Sequence, residues 1–368
     1  MKFNCLSQDL IASLQIATRA LSVRSPQPIL EGVLLEACEN ELQLTASDGT
    51  FTIITRMKAE VEVEGACVMP GRLFSEVVRK MPQGEVSAIL SRAFMLTLKC
   101  CGSRTNIAGQ SAESYPRVET SGEMTQITLP QSLIKDMIQR TSFAIPVDDP
   151  RPVLLGGCFN MQNGQIDMVG LDGFRLAMRT ARVSDTESAV KSIVPLKSLE
   201  EIAKLMSDND DAMVTMHFGK NQMMVELGET TLFTSLIDGE YIDYRRVIPK
   251  TFACEILASR EEFSRCVDRA SLMAREGKNN LIKFAVEGDK LYITSNSEVG
   301  DVFEEMDVSN KGSDIVIAFN VKYLSEIIRV INGDEILVRF GTAVSPAVIS
   351  PANGDDFTYL VLPVRISA

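Results

Sequence analysis

The chain has 368 residues, is 45% hydrophobic and 23% charged, and carries a formal net charge of −12. That length exceeds one ordinary core and implies two or three domains. The acidic total excludes a protein that coats nucleic acid through an all-basic surface, and with no run of 18 uninterrupted apolar residues no membrane-spanning helix is expected.

In chain order, MKFNCLSQDL lacks the apolar stretch of a signal peptide, so a cytoplasmic protein is expected. SQDLIASLQIATRAL (7–21) has the spacing of an amphipathic helix. LLEACENELQLTASDG (34–49) reads as strand, tight turn, strand, because Asn at its middle suits a hairpin turn. VMPGRLFSEVVRKM (68–81) is a second helix candidate. PQSLIKDMIQRTSF (130–143) and SREEFSRCVDRASLM (259–273) repeat the first helix, and CFNMQNGQIDMVGLDG (158–173) and KFAVEGDKLYITSNSE (283–298) repeat the hairpin. IVPLKSLEEIAKLM (193–206) and AFNVKYLSEIIRVI (318–331) repeat the second helix.

Pro70, Pro195 and Asn320 stand 125 residues apart, each followed two positions later by Arg72, Lys197 or Lys322. Phe74, Leu199 and Leu324 come next in step, then Glu76, Glu201 and Glu326. Equal spacing with a matched pattern indicates a threefold internal repeat. Each repeat holds two helices and roughly eight strands, which predicts an α+β fold in which helices cover one face of antiparallel sheets. The expected domains are 1–124, 125–249 and 250–368.

The six helix candidates carry a net charge of +4 between them, so the acid lies elsewhere. One explanation is ordinary solvated helix faces; the other is that the helices share a surface facing a polyanion. Catalytic signals are sparse. His217, the one histidine, alternates with apolar residues as a strand residue does. Asp48 and Asp172 occupy equivalent positions before Gly, where a duplicated turn explains them. Cys5, Cys38, Cys67, Cys100, Cys101, Cys158, Cys254 and Cys266 are scattered without C-x-x-C spacing, as in a reducing compartment. No nucleotide-binding glycine fingerprint occurs, and no metal or cofactor is expected.

The N-terminal MKF, Pro28-Ile-Leu, GLDGFRLA at 170–177, DYRRVIPK at 243–250, FN at 319–320 and LVLPVR at 360–365 together resemble the bacterial DNA polymerase III β subunits, the sliding clamps. The resemblance implies three similar domains of the DNA clamp fold and a head-to-tail homodimer closed into a ring. It implies a non-catalytic processivity factor that encircles double-stranded DNA without reading sequence. Expected partners are the replicative polymerase, a clamp loader and repair proteins, which dock through short apolar peptides.

Carried over by motif, the implied peptide pocket comprises Leu154, Leu171, Gly173, Phe174, Arg175, Leu176, Ile242, Arg246, Val247, Leu360, Val361, Leu362, Pro363, Val364 and Arg365. Phe174 stands where relatives often carry His, and Ile242 where Pro is common. Arg24 matches a basic DNA-contacting residue; Arg72, Lys197 and Lys322, from the repeat, are the other DNA-facing candidates. The implied ring interface involves Leu272 and Met273 against a region near Thr105 and Ile107, with Arg104 opposite Glu304 or Glu305. The competing expectations are a monomeric peptide-binding scaffold and a cytosolic enzyme using carboxylates near Asp172.

Overall fold

The computed structural model describes residues 1–22, 26–118, 122–184, 187–277, 280–354 and 356–365. Seven α-helices occur among them: α1 (Ser7–Ala17), α2 (Gly71–Arg79), α3 (Gln131–Thr141), α4 (Leu196–Leu205), α5 (Tyr244–Val247), α6 (Arg260–Glu276) and α7 (Val321–Val330). Six answer to the helices expected from the repeat; the four-residue α5 was not expected. The α2, α4 and α7 starts share one design. Pro70 and Asn320 sit at the N-caps of α2 and α7, and Asn320 Oδ1 accepts a 3.0 Å hydrogen bond from the Lys322 amide. The hairpin turns also follow their residue types. Glu39 and Asn40 adopt positive φ, as do Asn163 and Gly164, giving the left-handed pairs that tight hairpins require.

The chain forms two compact units. The first comprises Met1–Leu133 and Glu201–Leu236. It contains a five-stranded antiparallel sheet with Ser103–Ala108 outermost, and an eight-stranded sheet. In the larger sheet the strand Thr230–Ser235 pairs with Phe51–Lys58, and the Thr55 and Thr230 hydroxyls meet at 3.0 Å. Leu10 and Leu14 of α1 and Phe74 and Val78 of α2 are fully buried.

The second unit comprises Ile134–Glu200 and Ile237–Ala368. Its four-stranded sheet has Gly300–Asp307 outermost. Its nine-stranded sheet joins two repeats where Arg175–Arg182 pairs with Phe357–Val361, Leu176 standing opposite Leu360. This seam is why the chain's compact units do not follow the repeats one for one. Phe263 of α6 packs edge-on against Phe284 (5.7 Å), which meets Phe319 (5.6 Å), giving this unit an aromatic core. Ser259 caps α6 by accepting from the Glu262 amide (3.4 Å).

Candidate functional site

At the end of the seam in the second unit lies an apolar groove of about 150 Å³. It is lined by Leu171, Gly173, Phe174, Arg175, Leu176, Ile242, Val247, Pro346, Leu360 and Leu362. An apolar cavity of about this size accepts a benzene ring, so the groove has room for a bulky apolar side chain. Three pieces of chain build its main walls, and Pro346 joins from a fourth. The strand Gln165–Leu171 and the turn after it supply one wall, the terminal strand Phe357–Val361 a second, and the segment around α5 a third. Tyr241, Tyr244, Leu154 and Val169 form the buried floor.

The turn is held by Asp172. Its carboxylate accepts from the amides of Phe174 (2.9 Å) and Arg175 (3.0 Å) and pairs with the Arg175 guanidinium (3.0 Å). Gly173 supplies the positive φ, +90°, that this turn needs. Asp48 makes the matching turn in the first repeat, accepting from the Thr50 and Phe51 amides. Asp172 thus clasps a turn, which accounts for its carboxylate without catalytic work. His217 lies beside Glu226 across a strand pair, Nε2 3.0 Å from Oε2.

Arg175 is buried at the groove wall. It bonds Glu326 of α7, donates to the Phe143 carbonyl (2.7 Å), and lies 4.8 Å from the centre of the Tyr323 ring. Phe174 is 59% exposed, with its ring stacked on Tyr323 at 6.1 Å. A large aromatic surface therefore faces solvent at the groove mouth but is supported from behind.

Asp167 was not singled out by the sequence. It is 1% exposed, yet its carboxylate accepts from Tyr244 Oη (2.7 Å), Arg245 Nη2 (2.7 Å), Thr180 Oγ1 (2.8 Å) and Gln165 Nε2 (2.9 Å). Burial alone would raise its pKa; the hydrogen bonds from Arg245, Gln165, Tyr244 and Thr180 outweigh burial and lower it. Burial pushes the Tyr244 phenol up.

Six of the expected pocket residues do not line the groove. Leu154 is fully buried in the floor beneath it. Val361 points to the opposite face of its strand and packs in the aromatic core, because side chains alternate along a strand. Arg246 turns its side chain, 86% exposed, to Asp243 (2.8 Å). Pro363, Val364 and Arg365 run past the groove, with the Val364 amide bonded to the Ala318 carbonyl (2.8 Å). Pro346, from a different loop, was not foreseen.

Arg24 lies outside the described residues. Arg72, Lys197 and Lys322 each take the second position of their helix, α2, α4 and α7, and all three are exposed. Among the expected interface residues, Leu272 is 59% exposed and Arg104 is exposed, whereas Thr105 and Met273 are half-buried. Ile107 is buried within its own unit, opposite Leu96 on the inner face of the sheet. Glu304 and Glu305 pair inside the chain with Arg269 (2.7 Å) and Lys290 (2.9 Å). Arg269 holds the Glu304 carboxyl below its usual range.

Three family models match the sequence consecutively: the DNA polymerase III beta subunit N-terminal domain over residues 1–119, the central domain over 128–243 and the C-terminal domain over 245–365. The chain is 32% identical to the beta sliding clamp of Staphylococcus aureus over 375 residues, covering 99% of each. The crystal structure of the DNA polymerase sliding clamp from Bacillus subtilis superposes with a TM-score of 0.96 at 31% identity, covering all of both chains. That of a putative DNA polymerase III beta subunit from Eubacterium rectale superposes with a TM-score of 0.95 at 28% identity, again over both whole chains.

Proposed function

The chain belongs to the DNA polymerase III beta-subunit family, the sliding clamps, and on that premise we propose that two copies close head to tail into a ring around duplex DNA and tether a polymerase to it. The family is the non-catalytic clamp subunit of the polymerase. The proposed domains are 1–124, 125–249 and 250–368, and the cytoplasm is the proposed location.

The observation that carries the partner reading is the apolar groove at the seam. An exposed phenylalanine beside a narrow apolar slot is the surface a peptide with bulky apolar anchors would cover. Leu171, Leu176, Leu360 and Leu362 supply the apolar slot, with Ile242 and Val247 as one wall. Polymerase, loader and repair proteins are the proposed sources of such peptides.

Ring closure is supported by two open strand edges, Ser103–Ala108 in the first unit and Gly300–Asp307 in the second. An exposed edge invites pairing with another chain. Pairing one copy's first edge with the other copy's second covers both, and the rotation must close after two copies. Leu272 and Phe303, 59% and 61% exposed, lie on α6 and on the second edge strand. Arg72, Lys197 and Lys322 are proposed to face the DNA. Held by topology, DNA needs few phosphate contacts, and few contacts suit sliding. The function is tested by primer extension with a polymerase and clamp loader of the same cell: adding the chain lengthens the products, and unchanged product length overturns the reading.

A further inference from the structure

A four-residue helix cannot sustain itself, since helix nucleation is unfavourable and short helices depend on tertiary contacts. Helix α5 nevertheless carries Val247 into the groove, and Ile242 just before it lines the same wall. Its N-cap residue, Asp243, makes no side-chain capping bond. What fixes α5 is on the neighbouring strand. Asp167, Val169 and Leu171 lie on one face of Gln165–Leu171 because strand side chains alternate. Leu171 lines the groove. The Val169 carbonyl accepts from Tyr241 Oη at 3.2 Å. Asp167 accepts from the side chains of Tyr244 and Arg245, the first two residues of α5, both at 2.7 Å. The Tyr244 oxygen accepts in turn from Asn160 Nδ2 (2.8 Å).

Asp167 is buried but the Arg245 side chain is 49% exposed, so solvent screens much of their Coulomb attraction; what the bonds supply is direction. Here the directional bonds end on the element that forms a groove wall, while the carboxylate itself does not reach the groove. We propose that Asp167 is a positioning residue for partner binding: it pins α5 through Tyr244 and Arg245 so that Val247 and Ile242 meet an incoming peptide in one fixed arrangement. The proposal rests on the groove being the peptide site.

The test uses the full-length protein and a fluorescein-labelled hexapeptide ending in Leu-Phe, with affinity read by fluorescence anisotropy. Asp167→Asn weakens binding about tenfold, as expected for a lost charge-assisted hydrogen bond. Val247→Ala weakens it too, and the double variant loses clearly less than the two single losses combined, because Asp167 acts in part through Val247. Tyr244→Phe, which keeps the ring and removes the hydroxyl's bonds to Asp167 and Asn160, serves if Asp167→Asn does not fold, and weakens binding by about threefold or more. Two results overturn the proposal while leaving the groove intact: Val247→Ala weakens binding but Asp167→Asn and Tyr244→Phe do not, or the losses in the double variant add fully. Unchanged binding by both Val247→Ala and Leu362→Asp removes the groove reading, and the proposal with it.

Discussion

The guanidinium of Arg175 lies 4.8 Å from the centre of the Tyr323 ring, and the ring of Phe174 stacks on the same tyrosine at 6.1 Å. One tyrosine of α7 thereby braces both the buried cation and the exposed aromatic of the groove mouth. Arg175→Ala removes the cation, takes it from the Glu326 carboxylate and the Phe143 carbonyl, and leaves Asp172 only its two amide bonds. A loss of about 3 kcal/mol is expected, read as a lower thermal midpoint, and Arg175→Lys recovers only part of it because an ammonium cannot reproduce the planar fork.

Charge placed in the groove abolishes partner binding without opening the dimer. Val247→Asp or Leu362→Asp puts an unpaired carboxylate against leucines. An affinity loss of at least about 100-fold is expected. Anisotropy with a labelled apolar peptide measures it, and sedimentation confirms an unchanged dimer. Peptide affinity within a few-fold of the parent sinks the site assignment.

Stability follows pH through Asp167. Its folded-state pKa is depressed, so its contribution is fully present above the unfolded carboxylate value, about 4, and disappears as pH falls through the folded value. The gap in unfolding free energy between the parent and Asp167→Asn, read from urea titrations, is therefore constant from about pH 8 to 5, at about 2 kcal/mol, and narrows below about pH 4. A gap that widens in acid contradicts the assignment.

The thiols separate into two classes. Burial pushes Cys5, Cys67 and Cys158 up to about 12, which leaves roughly one thiol in ten thousand ionised at pH 8. Cys38 and Cys101 are exposed. The Glu64 hydrogen bond raises Cys38, so it reacts more slowly than an ordinary thiol. Ellman's reagent labels Cys101 first and Cys38 next in the native protein, and the six buried thiols only on unfolding.

The proposed ring interface is expected to depend on apolar area more than on the ion pair. Leu272→Asp or Phe303→Asp yields monomers in analytical ultracentrifugation, since each places a charge on an exposed apolar side chain beside an open strand edge. Arg104→Ala shifts the dimer constant by less than about fivefold, because an exposed ion pair contributes under about 1 kcal/mol.

The 125-residue repeat and the Asn and Gly turns made the helix–hairpin order legible, because both signals are local. The groove was partly legible through GLDGFRLA and the terminal apolar run. Its finer division followed from alternation: Leu360 and Leu362 face the groove and Val361 does not. Pro346 carries no periodic signal, and α5 is too short to leave one. Asp167 reads as a solvent-facing acid in a strand; the partner that buries it, Arg245, stands 78 residues away in sequence. The seam between Arg175–Arg182 and Phe357–Val361 is likewise a long-range register that no local pattern encodes.

The central claim, that this chain encloses DNA, is tested most directly by loading it onto a nicked circular duplex and measuring retention through gel filtration before and after the circle is linearised. Enclosure predicts that the protein stays on the circle and runs off once free ends exist. Release at the same rate from circular and linear DNA would contradict it.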